Sequence, residues 1–126
     1  MSCYCGAKKN PYHCCLAFIE GKKVPLSVEE LMRARYTAFH LKRFFFLRET
    51  TAPEAASEKE FAENEKWAQQ VELNSLEIID AKEKGDQGQV EFKIYFSDNK
   101  TVYCHHEISQ FRRIGEKWFY RGSKNL

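Results

Sequence analysis

Cys3, Cys5, Cys14 and Cys15 stand as C-x-C, eight intervening residues, then C-C, so four of the five cysteines fall within the first fifteen residues. Four thiolates brought together by one short turn supply the tetrahedral, closed set that Zn²⁺ takes in structural sites. Zn²⁺ is therefore the expected cofactor and these four residues its expected ligands. His13 directly precedes Cys14 and is the alternative ligand, a choice that would leave Cys15 as a small inward apolar residue. A disulfide between vicinal Cys14 and Cys15 would strain the intervening peptide. Gly6 permits the sharp turn between the pairs. Lys8 and Lys9 offset part of the negative charge that four thiolates leave around a divalent metal.

Other reactive residues are less ordered in sequence. Cys104, His105 and His106 are consecutive, but a metal would need His40 as well, so hydrogen-bonded histidines and a packed Cys104 are the expectation. No G-x-S-x-G, P-loop or dinucleotide fingerprint occurs. Catalytic residues are therefore unknown from the sequence, and enzymatic activity is left open.

The elements that must position these residues follow from periodicity. Leu16 to Ile19 is an apolar run that docks the metal turn on the core. Ser27 and Glu30 form a capping box, and Leu31, Ala34, Arg35, Ala38 and Phe39 continue at helical spacing to about His40. Arg33 and Arg35 fall on opposite sides of that helix, so one of them faces inward and requires a carboxylate, for which Glu107 is the expected partner. Phe44 to Leu47 reads as a short second helix. Ser57 and Glu60 open a third, which runs to about Gln70 with Phe61, Trp67 and Ala68 inward.

From Val71 the period becomes two. Leu76, Ile78 and Asp80 share one face of a first strand, and Val90, Phe92, Ile94 and Phe96 one face of a second. A turn at Asp98 to Lys100 leads to a third strand over 101–114. On it Tyr103, His105, Glu107, Ser109 and Phe111 oppose Val102, Cys104, His106 and Ile108. Trp118 to Tyr120 is the last strand. Three helices followed by an antiparallel meander of four strands predict an α+β domain with helices packed on one sheet face.

At 126 residues the chain is long enough for one such core and too short for two domains with a linker. Its net charge of +2 is unevenly spread. Residues 1–50 hold nine Lys/Arg against four Asp/Glu, residues 51–83 three against nine, and residues 84–126 eight against five. No run of five like charges appears, so nucleic-acid binding has no positive support. No apolar stretch is long enough for a membrane span and no signal segment is evident, which places the chain in a reducing, cytoplasmic setting where clustered cysteines are more often metal ligands.

Three blocks carry a resemblance to a known family. The C-x-C turn closed by C-C resembles the SEC-C zinc motif of the SecA translocation ATPase tail. Leu31-Met32-Arg33-Ala34-Arg35-Tyr36-Thr37-Ala38-Phe39 is similar to the corresponding helix of YchJ-like proteins. His106-Glu107-Ile108-Ser109-Gln110-Phe111, with Gly115, Trp118, Tyr120 and Gly122 after it, is similar to that family's closing strands. The resemblance implies a SEC-C-like zinc motif over residues 1–19 and a cone-shaped nuclear transport factor 2-like domain over residues 20–126, in a family of largely undefined activity. It carries a ligand role to Cys3, Cys5, Cys14 and Cys15. The chain departs from the pattern at Pro11, where relatives carry an aromatic, and many relatives add a second such motif at the C-terminus.

Two functional readings result. The first is a non-catalytic binding or adaptor protein that presents the zinc turn to a protein partner. The second is a small-molecule-binding or enzymatic cone with Arg33, Arg35, Tyr36, Trp67, His105 and Glu107 as wall residues. A filled cone would favour the first and an open polar pocket the second. A homodimer through the open sheet face is expected by analogy of fold.

Overall fold

The computed structural model describes residues 2–125. A 3₁₀ turn at Pro11–His13 runs into helix α1 (Cys15–Ile19), followed by α2 (Val28–Leu41), α3 (Phe44–Glu49) and α4 (Glu58–Gln70). Strands β1 (Glu72–Lys84), β2 (Gln87–Asp98), β3 (Thr101–Ile114) and β4 (Lys117–Asn125) then form one antiparallel sheet in chain order. The expected helices and strands are present, and α1 adds a fourth helix at the apolar run after the cysteines.

Local chemistry explains the boundaries. The Ser27 hydroxyl accepts from the Glu30 amide at 3.1 Å and the Ser57 hydroxyl from the Glu60 amide at 3.3 Å, so both caps satisfy an otherwise orphaned donor. The Glu30 carboxylate reaches past its capping residue to the Leu26 amide at 2.8 Å, one residue earlier than a reciprocal box requires. Lys42, at φ 59, ends α2 in the left-handed conformation. Asn99 (φ 52) and Lys100 (φ 71) make the two-residue turn that pairs Asp98 with Thr101.

The sheet bends at irregularities in its pairing. Register shifts fall between Leu73 and Ser75, between Ile78 and Asp80, and between Gln110 and Phe111. Bulges of this kind raise local twist and curl a meander over its helices. The second one reverses the side-chain phase of β1. Beyond it Ala81 packs on the core and Asp80 is exposed, whereas uninterrupted alternation puts Asp80 beside Leu76 and Ile78.

Tyr36, Leu31, Val28, Val90 and Phe111 are among the side chains fully enclosed between α2 and the sheet. Helix and sheet approach closely at Gly88, where a Cβ would stand 2.6 Å from the Val28 Cγ1. Residues 50–52 add main-chain bonds at the β4 edge, with Tyr120 N donating to Thr50 O and Ala52 N to Tyr120 O, both at 2.8 Å. Cys104 corrects the expectation that it packs: its strand face is the convex one, and it is exposed.

Candidate metal centre and cone cavity

The N-terminal turn is built around its backbone. Cys3 N donates to Ala7 O at 3.0 Å and Gly6 N to Cys3 O at 3.1 Å, with Gly6 at φ +94, which any side chain would strain. Asn10 caps the 3₁₀ turn by accepting from Tyr12 N at 3.0 Å, and Pro11, whose ring presets the first turn, is buried. That turn delivers Cys14 and Cys15 to the first pair.

The four sulfurs lie within 4.8 Å of one another, and among the described residues this is the only such cluster of metal-ligating side chains. Cys5 Sγ is 3.8 Å from Cys14 Sγ, and Cys14 Sγ is 3.9 Å from Cys15 Sγ. A tetrahedron with Zn–S bonds of about 2.3 Å has sulfur–sulfur edges of about 3.8 Å. The cluster therefore fits a tetrahedral ion, with no disulfide competing for the sulfurs. Cys3, Cys5 and Cys15 are buried and Cys14 half-buried, while His13 is exposed and outside the cluster.

Electrostatics favour the same use. The neighbouring Cys15 thiol, helped by the Ala7 backbone and the Cys3 and Cys14 thiols, holds the Cys5 thiol down at about 5 against the opposing effect of burial. Burial and the Cys5 charge push Cys14 up to about 11, and the hydrogen bond to Cys5 together with burial raises Cys15. One thiolate ringed by thiols binds a metal by giving up the remaining protons.

Arg33 belongs to this centre and does not line the cone. Its Nη1 donates to Cys5 O at 2.8 Å and its Nε to Glu29 at 3.0 Å. Thr37 lies one helical turn further on the same face of α2. Its side chain is fully buried, its hydroxyl has no oxygen or nitrogen partner, and it sits beside the Cys15 sulfur. An orphaned donor at a ligand position is accounted for by a metal-bound thiolate that accepts from it. Sequence reasoning missed Thr37, although its spacing from Arg33 is the signal that finds it.

A second site opens beneath the helices. Arg35, Tyr36, Trp67, His105 and Glu107 line a cavity of about 290 Å³. Phe92, Ile94 and Phe96 form its sheet wall, and Ser109, Tyr120 and Ser123 add hydroxyls that periodicity had not singled out. The Trp67 ring meets Phe39 at 6.1 Å and Phe96 at 5.3 Å, both edge to face. Burial pushes the Tyr36 hydroxyl up to about 12.

The expected pairing of Glu107 with Arg33 or Arg35 does not occur. Glu107 Oε1 is 3.1 Å from His105 Nε2. Arg35 Nη1 instead donates to Leu47 O at 3.0 Å and Thr50 Oγ1 at 2.6 Å, while the guanidinium lies 4.6 Å over the Tyr120 ring. A helix C-terminal carbonyl and an aromatic face take the place of the carboxylate. His106 is held by Glu91 at 2.7 Å, so both neighbouring histidines are hydrogen-bonded.

Residues 27–123 match the family model of the YchJ middle NTF2-like domain. The chain belongs to the YchJ family. A UPF0225 protein of Geobacter sulfurreducens is 31% identical over 121 residues, covering 94% of this chain and 75% of the relative. One of Vibrio cholerae is 33% identical, covering 95% and 80%. A solution structure of a SEC-C motif containing protein from Rhodopseudomonas palustris is 32% identical with a TM-score of 0.91, covering 100% of this chain and 99% of that one. A crystal structure of another, from Psychrobacter arcticus, is 26% identical with a TM-score of 0.80, covering 96% and 75%. The NTF2-like fold of this YchJ-family chain and its cysteine cluster thus agree with its relatives.

Proposed function

We propose that this chain is a small-molecule-binding cone whose N-terminal turn is stapled to it by a structural Zn²⁺, working in the reducing cytoplasm. The observation that carries the reading is the 290 Å³ cavity in which aromatic walls and a few polar groups converge. The cone is open, which favours a ligand over a purely structural filling. A four-cysteine set leaves no coordination position for substrate, so the zinc holds the turn and the cavity does the binding. Zn²⁺ suits a tetrahedral all-sulfur set; the chain's share is to supply the thiolates, with Thr37 donating to Cys15 and Arg33 anchoring the Cys5 backbone. Among the described residues no helix is long and apolar enough to cross a membrane.

A fragment screen by ¹⁵N-edited NMR on the zinc-loaded protein tests this. The expected result is a set of fragments that shift signals of Trp67, His105 and Phe96 together. Fragments that bind only elsewhere, or none that bind, would remove the reading.

One observation favours a partner at the zinc turn as a second reading. A groove lined by Lys9, His13, Lys23 and Arg33, and by Glu29 and Glu30, runs beside the cysteines, and Tyr12, next to His13 in the chain, is 60% exposed. Tyr12→Ala and Lys9→Glu would then abolish binding of a specific partner without altering metal content. A homodimer through the convex face, where Val102 is 65% exposed, would show as a concentration-dependent mass in sedimentation. A monomeric mass throughout would remove it.

A further inference from the structure

Arg35 is the only arginine, lysine, aspartate or glutamate buried among the described residues, at 7% exposure. A buried cation ordinarily has a carboxylate beside it, because neutral acceptors repay only part of the lost hydration. No ion pair among the described residues includes Arg35: Glu107 is taken by His105 and Glu65 by Arg48 at 3.1 Å, while Glu60, which lines the same crevice as Arg35, makes no ion pair with it. Only Nη1 of the guanidinium makes hydrogen bonds, to Leu47 O, Thr50 Oγ1 and, at 3.4 Å, Thr51 Oγ1. Nε and Nη2 have no acceptor among the described residues. Arg35 lines both the cone and a crevice shared with Asn64 and Tyr120.

The geometry points to a small monocarboxylic acid with an apolar body as the cone's ligand, its carboxylate on the free donors of Arg35 and its body against the wall of Trp67, Phe39 and Phe96. A guanidinium edge matches a carboxylate with two parallel N–H···O bonds, and the ligand supplies the counter-charge the fold withholds. Glu107 lines the same cavity but is held by His105, so the anion's place is on the unpaired Arg35. Trp67, Phe39 and Phe96 pack on one another edge to face, so they give the cavity a continuous aromatic wall for an apolar body to lie against. The inference rests on the reading of the cone as a binding site and adds the charge of what binds.

Three probes with one body separate the two claims: naphthylacetate, its primary amide, and naphthylmethylamine, titrated into the zinc-loaded full chain. The expected result is that the acid binds at least about tenfold more tightly than the amide. The Arg35 Nε–H signal should shift with the acid and not with the amide, a readout on the unaltered protein. Arg35→Met should abolish the preference for the acid, and if that variant does not fold, the Nε–H signal decides alone. Acid and amide binding the cavity with equal affinity, or the amine binding best, would overturn the carboxylate and leave the cone reading standing. If none of the three shifts the cavity signals, the carboxylate falls, and the fragment screen alone then decides for the cone.

Discussion

A buried hydroxyl with nothing to donate to costs stability until an acceptor arrives. Thr37 is in that position beside Cys15, and a metal-bound thiolate is the acceptor at hand. Thr37→Val should therefore raise the metal-free melting temperature and speed zinc loss to a chelator, on the order of tenfold, as outer-shell changes do. Unchanged zinc release would remove Thr37 from the site. At this scale the cysteines were legible because four thiols at close sequence spacing have little else to do in a reducing compartment. The fate of the two arginines was not. Spacing places Arg33 and Arg35 on opposite faces of α2, but which face meets the cysteine turn depends on where residues 3–15 dock. That a carbonyl, two threonines and the Tyr120 ring would serve Arg35 in place of Glu107 leaves no trace in the pattern.

Helices and strands are held by a few tight positions. Adding a methyl at Gly88 would press on Val28 Cγ1 at 2.6 Å and on the Lys82 carbonyl at 3.1 Å. Gly88→Ala should cost about 1–3 kcal/mol in urea unfolding, and Val28→Ala in the same chain should restore part of it. A neutral Gly88→Ala would mean that α2 and β2 are not in this contact. Ser57→Ala should cost about 1 kcal/mol by removing the α4 cap. Both serine caps and the alternation along β2 were readable, since each depends on residues close in sequence. The bulge between Ile78 and Asp80 was not, because nothing local marks where β1 slips against β2; the inward face of its last residues was misassigned for that reason. The α1 helix is too short for periodicity to declare it.

For the molecule as a whole, two features are acid-sensitive. Arg112 donates to Glu54 through Nε at 2.6 Å and Nη2 at 2.8 Å, holding that carboxyl at about 2 in place of its ordinary 4.5. The folded value lies below the unfolded one, so this contribution is present above 4.5 and is lost as pH falls toward 2. Because the pair is exposed, Glu54→Gln should flatten the acid limb of stability at low salt and make little difference at high salt. A Glu54→Gln limb identical to that of the parent at low salt would contradict the pairing. A metal ion held by the four thiolates would add a steeper dependence, since protons compete with it for the sulfurs. Fold and family were legible because the three sequence blocks cover the cysteine turn, α2, and β3 with β4. Whether the cone was open was not, since cavity volume depends on how the curled sheet stands off α2 and α4. Zinc content of the purified, chelator-free protein, read by native mass spectrometry, tests most directly whether the turn is metal-stapled. One zinc per chain, lost in Cys5→Ser together with a lower melting temperature, is the predicted result; less than about half an equivalent, or zinc that survives Cys5→Ser unchanged, would contradict it.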